Sequence, residues 1–443
     1  MSENICFPAK LAHGHIFDLA EKKVDRIFYP TVVYEQVEYE DALNAYNCPV
    51  VTGYPDLIKS AVNPERKFSI PLDNPAISFK DLKLFKKQLS LFFRRFGIDR
   101  RTVSMGVEKG AAAQKDYKKK LQARAKSLIT AAEKQARTVV VLAGRPYHLD
   151  PLINHGIPNL LAELGMDVIS ETAVPLNTDS VSLEDINVLT QWSYTNRLYA
   201  AAKWVTENHN AQLVHITSFG CGPDAVSADE AREIIRSSGK IHTLIKMDEI
   251  ANLGAVKIRL RSMLEAVKEN KGNTRVSGVG RKKTNRLVMD KYRKKTLIVP
   301  FFSPFYSPLI PSAFRPLGYQ VEVLPPQDKV SVEFGLKTIN NDMCYPSILV
   351  AGDIVKAFQS GRYDPENTAV ILTQTGGQCR ASSYVSLVRK GLAAVGMDNV
   401  SVITLSGEGI DPQTGFVIDE KGLVKRLALG VIFADPLARM YLA

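Results

Sequence analysis

Apolar residues in this chain gather in short unbroken runs separated by turn-forming residues, with few stretches of strict alternation. Such runs predict strands buried on both faces of a parallel sheet. The clearest case is "ARTVVVLAGRPYHLDPLINHGIPNLLAELGMDVIS" (136–170). A β-branched run from Val139 to Leu142 meets Gly144 and Pro146. Ile157, Leu160, Leu161 and Leu164 then recur at helical spacing, and a second strand opens at Met166 to Ile169. "KTLIVPFFSPFYSPLIPSAFRPLGYQVEVLPP" (295–326) repeats the order: strand Leu297 to Val299, a Pro/Ser-rich turn, a short helix, Gly318, and a strand from Gln320 to Leu324. Two strand–helix–strand units about 160 residues apart predict two related α/β domains.

Further runs extend both. "AQLVHITSFG" leads to Cys221, a helix is expected at "SADEAREIIRSSG", and "IHTLIKMD" follows it. "NTAVILTQTGG" leads to Cys379, a helix is expected at "SSYVSLVRKGLAAVG", and "NVSVITLS" is the next strand. Strands alternating with helices at this spacing call for parallel sheets covered by helices on both faces. The N-terminal part carries smaller signals: a turn and helix in "CFPAKLAHGHIFDLAEK", a strand in "VDRIFYP", a turn and helix in "NCPVVTGYPDLIKSAV". The expected organisation is α/β throughout. A partial α/β region (1–77) and a helical connector (78–136) precede a Rossmann-like domain (137–264). A basic linker (265–295) then leads to a second Rossmann-like domain (296–443).

Size and composition agree with several domains: 443 residues, 45% hydrophobic and 23% charged, are those of a globular chain. No apolar run approaches the roughly 20 residues of a membrane span. "MSENICFPAK" carries neither the basic nor the apolar region of a secretion signal, so a cytoplasmic location without membrane association is expected. The net charge of +11 concentrates in 115–137 and 281–295. Neither segment interleaves aromatics or carries a helix-turn-helix or zinc-finger spacing. A solvated basic face is therefore favoured over nucleic-acid binding, which stays as a further alternative.

The candidate chemistry lies in five cysteines: Cys6, Cys48, Cys221, Cys344 and Cys379. An odd number in a long chain without an export signal argues against a disulfide framework. Cys221 and Cys379 each follow a predicted strand, where parallel sheets bind ligands. Cys6-Phe7-Pro8, Cys48-Pro49 and Cys344-Tyr345-Pro346 share a nearby proline that fixes the backbone. No Cys-x-x-Cys pair and no histidine at ligand spacing accompany them, so soft thiolates favour iron–sulfur over zinc. The residues alone leave a shared iron–sulfur site and small core cysteines as equal readings. Lys10, His13 and His15 in "KLAHGH" are further polar candidates. So are Arg145, Tyr147, His148, Asp150 and His155, for which helix capping is the competing role. Arg380 stands beside Cys379, where its charge would stabilise a thiolate. Neither G-x-x-x-x-G-K-S/T nor a strand followed by G-x-G-x-x-G occurs, so ATP or dinucleotide binding in those ways is not expected.

Taken together, "CFPAKLAHGH", "NCPVVTGYP", "AGRPYHLDPLINHGIP", "SFGCGPDA", "NDMCYPSILVAGDIV" and "TQTGGQCRASSY" resemble the 2-hydroxyacyl-CoA dehydratase superfamily. The likeness is to the C-terminal part of its large activase-related proteins, and it spans nearly the whole chain. It implies an iron–sulfur cluster, 4Fe–4S or a double-cubane 8Fe–9S, with Cys6, Cys48, Cys221, Cys344 and Cys379 as candidate metal ligands. It also implies low-potential electrons from a separate ATP-hydrolysing activator and an acyl-CoA or other small-molecule acceptor, as in a reductase or lyase component. In the large relatives an α/β segment and ATPase modules precede "CFPAKLAHGH". A truncated first part is therefore expected, completed by a homodimer partner or a missing N-terminal module. The pure dehydratases space their cysteines differently, so dehydratase activity does not carry over directly. A non-catalytic scaffold that binds the activator is the alternative.

Overall fold

The computed structural model describes residues 7–176, 181–218, 220–247, 253–269, 292–374, 377–406 and 420–442. The chain divides into two compact units, Met1–Gly280 and Arg281–Ala443. Of the linker expected at 265–295, residues 265–269 form the end of a helix, and 270–291 lie outside the described residues.

The first unit opens with α1 (Phe7–Glu21), β1 (Ile27–Phe28) and β2 (Thr31–Val32), followed by α2 (Pro49–Ala61) and α3 (Pro64–Phe68). Then come β3 (Leu72–Asp73) and β4 (Ala76–Ile77). β1 pairs with β3 and β2 with β4, both parallel and two residues long. Isolated two-residue pairs are too short to stand alone. Ile16, Ile27, Ile58, Ile70 and Leu72 bury against one another to hold them. The connector holds α4 (Leu82–Phe93) and α5 (Arg100–Lys134). Each starts where an aspartate side chain accepts a first-turn N–H, Asp81 from Leu84 at 2.8 Å and Asp99 from Thr102 at 2.9 Å. The basic stretch from 115 belongs largely to α5.

The main sheet comprises β5 (Val139–Ala143), β6 (Asp167–Ser170), β7 (Ala211–Ser218) and β8 (His242–Met247). It carries α6 (Ile157–Glu163), α7 (Ser193–Glu207), α8 (Gly222–Ser237) and α9 (Leu253–Glu269). Strand order is β6-β5-β7-β8, all parallel. Successive side chains point to opposite faces, and the core divides accordingly. Val139, Val141, Leu213 and Ala211 pack with Ile129, Val205 and Ile235, from α5, α7 and α8. Val140, Leu142, Val214 and Ile216 pack with Leu161 and Leu260, from α6 and α9. Because both faces are covered, the strands read as unbroken apolar runs.

The second unit has β9 (Thr296–Val299), α10 (Ile310–Phe314), β10 (Gln320–Val323), α11 (Lys329–Thr338), α12 (Tyr345–Gln359), β11 (Thr368–Gln374), α13 (Tyr384–Ala393), β12 (Ser401–Ser406) and α14 (Glu420–Leu442). Its order, β10-β9-β11-β12, repeats the first sheet strand for strand. The chain is thus α/β with two Rossmann-like parallel sheets. In each, the connections leave the middle pair of strands in opposite directions, which opens a crevice at their carboxyl ends.

α11 and α12 cross with their backbones in contact. A Cβ on Gly352 would lie 1.8 Å from Ser331 O, and one on Gly335 would lie 2.2 Å from Ile348 O. Only glycine fits there. The crossing is tied by a polar cluster: Ser331 Oγ donates to Asp353 Oδ1 at 3.0 Å, and Lys356 Nζ to Ser331 Oγ at 3.0 Å. Among the described residues no helix is long and apolar enough to cross a membrane.

Candidate functional site

All four described cysteines occupy one kind of position. Cys48 is the N-cap of α2, Cys221 of α8, Cys344 of α12, and Cys379 of the 3-10 turn Arg380–Ser383. Pro49, Pro223 and Pro346 fall in the first turns of the three α-helices. The prolines read in the sequence as turn residues therefore begin helices, where their missing N–H costs nothing. A thiol at a helix N-terminus faces free N–H groups and the positive end of the macrodipole, both of which favour thiolate. Three of the four thiols are half-buried, and Cys379 is exposed. Cys6 lies outside the described residues.

In the first unit the site forms where β5 and β7 end. Gly144 leaves β5 so close to its surroundings that a Cβ would lie 2.5 Å from His148 Nδ1 and 2.8 Å from Ile216 O. The chain then turns through Arg145. Its backbone N–H donates to His148 Nδ1 at 2.9 Å, and His148 Nε2 meets Ser218 Oγ at 3.0 Å. With Nδ1 accepting, the ring proton sits on Nε2 and is donated to Ser218. Burial, with the nearby Arg145 charge, pushes His148 down to about 3, so the imidazole is neutral. The Tyr147 hydroxyl reaches the same Ser218 Oγ at 3.1 Å. This lattice points the Arg145 guanidinium across the crevice.

Arg145 is 8% exposed, its Nε and Nη2 lie 3.0 and 2.9 Å from Asp224 Oδ1, and its Nη2 is 4.0 Å from Cys221 Sγ. Burial opposes its charge, but Asp224, Cys221 and Cys48 together raise its affinity for the proton, so it stays a cation. Cys48 comes within electrostatic reach because its segment is sewn to the loop before α7. Tyr46 N–H donates to Gln191 O at 2.8 Å, and Ser193 N–H to Tyr46 O at 3.0 Å. Burial pushes the Cys221 thiol well up, helped by Asp224 and opposed by Arg145. Asp224 Oδ2 is buried with no hydrogen-bond partner among the described residues. Nearby, burial raises the Glu171 carboxyl to about 7 against the fields of Arg197 and Arg145.

In the second unit Cys344 Sγ lies 3.4 Å from the Tyr384 hydroxyl, and Cys379 Sγ accepts the Ala381 N–H at 3.4 Å. Burial would raise Cys344, but the Tyr384 and Ser347 hydrogen bonds and the Arg380 charge carry it below the ordinary thiol range. Burial raises the Tyr384 phenol, and so do Cys344 and Cys379. One tyrosine thus stands in the field of both thiols.

The remaining candidates divide. Arg145 and Arg380 stand beside thiols. His148 braces the Arg145 loop, and Asp150 Oδ1 accepts Leu152 N–H at 2.8 Å as a turn residue. His13 is buried with Nδ1 on Ala9 O at 2.8 Å. Lys10, His15 and His155 have no printed contact with any cysteine. The sequence reasoning missed Ser218, Asp224 and Tyr384. Among the described residues no three His, Cys, Asp or Glu side chains gather as a complete metal-holding group. The described thiols come in twos, one pair within each unit.

Comparison with known proteins bears on the first of these pairs. Residues 1–174 match the model of a family described as the CoA enzyme activase uncharacterised domain. This fits the acyl-CoA dehydratase/activase-related family, and the matched span holds Cys6, Cys48, Arg145, Tyr147 and His148. Cys221, Cys344 and Cys379 lie beyond it. No curated protein matches the chain. Two crystal structures of a LacI family transcriptional regulator from Arthrobacter sp. FB24, one in complex with lactose, share 14% identity over 61% of this chain and 96% of theirs. Their TM-score is 0.14, too small a likeness to bear on fold or ligand.

Proposed function

We propose that this chain is an iron–sulfur electron-transfer protein of the acyl-CoA dehydratase/activase-related kind, with Cys6, Cys48, Cys221, Cys344 and Cys379 as its metal ligands. The observation that carries the reading is that each described thiol caps a helix, and that each pair has a positive guanidinium near it. Sulfur is the donor throughout, and the nearest imidazole, His148, has both ring nitrogens engaged. A soft, sulfur-only donor set suits iron–sulfur chemistry better than zinc or a hard cation. Metal ligation also removes the protons that burial holds on Cys221.

When bound, a 4Fe–4S or 8Fe–9S cluster supplies one-electron transfer at low potential. The chain's own residues do the rest. Arg145 offsets negative charge from Cys48 and Cys221, with its own excess moderated by Asp224. His148, Tyr147 and Ser218 hold the Arg145 loop rigid. Burial of Arg145 and Asp224 keeps water from the first pair. In this reading an ATP-hydrolysing activator delivers electrons and an acyl-CoA or other small molecule accepts them.

The test is anaerobic purification with iron and sulfide analysis and EPR after reduction. Bound iron and sulfide, a brown colour and their loss in Cys221→Ala and Cys379→Ala are expected. Protein prepared without oxygen that carries no iron ends the proposal.

A further inference from the structure

We infer that Tyr384 sets the potential of the proposed cluster by donating its hydroxyl proton to the sulfur of Cys344. The inference rests on the iron–sulfur reading and deepens it. Tyr384 begins α13, forty residues beyond Cys344, and the fold brings its hydroxyl to 3.4 Å from Cys344 Sγ. That is hydrogen-bond reach for sulfur. A metal-ligating sulfur has no proton to give, so the direction is fixed: the phenol donates and the sulfur accepts. Arg380, close by in the same turn, adds positive charge on the same side. Tyr384 touches a ligand and not the metal, so its part is positioning and tuning.

A donor to a ligating sulfur stabilises the electron-richer state more than the electron-poorer one, because the reduced form carries more negative charge on sulfur. Removing the hydroxyl while keeping the ring should move the potential to more negative values. A hydrogen bond of ordinary net strength corresponds to about a tenfold lower ratio of reduced to oxidised protein at a fixed potential, or about 59 mV for one electron.

The experiment is an EPR-monitored redox titration of the anaerobically purified full chain, with iron measured on every sample. Wild type is compared with Tyr384→Phe and with Tyr363→Phe, whose hydroxyl bonds Glu322 elsewhere in the same unit. Equal iron in all three, a more negative potential in Tyr384→Phe alone, and an unmoved Tyr363→Phe are expected. Equal iron with an unmoved potential in Tyr384→Phe overturns this inference and leaves the iron–sulfur reading standing. Iron-free wild type overturns both. If Tyr384→Phe alone fails to hold iron, 3-fluorotyrosine incorporated at position 384 keeps the ring and strengthens the donor. Its potential must then rise, and an unchanged value overturns the inference.

Discussion

The two units are built on one strand order yet surround their thiols with opposite kinds of chemistry. In the first, the neighbour of Cys221 is a buried cation, Arg145, locked to a buried carboxylate. In the second, the neighbour of Cys344 is a phenol hydroxyl, with Arg380 half-buried beside it. The consequence appears in the thiols themselves: burial drives Cys221 up, while hydrogen bonds and charge bring Cys344 down. A common frame therefore fixes where sulfur is offered, and the loops after the strands decide in what electrostatic state.

The largest expected break in this contrast is Arg145→Ala. It strands Asp224 as an uncompensated buried charge and should cost about 3–5 kcal/mol. Arg380→Ala, at a half-buried surface site, should stay within about 0.5 kcal/mol. Trp192 and Trp204 both lie in the first unit, so their fluorescence in urea follows that unit, and hydrogen exchange follows the second. Equal losses from the two substitutions would erase the distinction between buried and surface charge.

Next in size is a pH effect confined to the first unit. Glu171 is raised to about 7 from an ordinary 4.5, so the folded unit keeps a proton that the unfolded chain releases. Its contribution is fully present below about pH 4.5 and is lost as pH rises through about 7, a fall of about 3 kcal/mol. Glu171→Gln should flatten that part of the stability curve. A slope unchanged by the substitution assigns the effect to another group.

The smallest effect is kinetic. In metal-free protein at mildly alkaline pH, Cys344 should alkylate roughly tenfold or more faster than Cys221, because only thiolate reacts. Peptide mapping after a short iodoacetamide pulse reads the order. Cys221 modified first would reverse the electrostatic contrast.

The sheets were legible because strands buried on both faces must be apolar without interruption, as at Val139 to Leu142 and Leu297 to Val299. The carboxyl-end location of Cys221 and Cys379 followed from the same runs. The helical start of "CYPSILVAGDIV" did not, since its apolar residues show no period and Gly352 sits within it. The glycine serves a neighbouring backbone, which a linear reading does not display. Ser218, Asp224 and Tyr384 were hidden for a related reason. Each is a single polar residue whose partner lies 70, 79 or 40 positions away, and nothing local marks the contact. In the N-terminal part, strands of two residues leave no pattern to read.

The α11–α12 crossing has a mechanical implication for Cys344. With main chain resting on main chain at Gly335 and Gly352, the two rods cannot slide or roll without collision, so they travel as a single beam. The sulfur mounted at one tip of that beam takes its location from the skeleton, leaving only the short Cβ–Sγ torsion free to aim it.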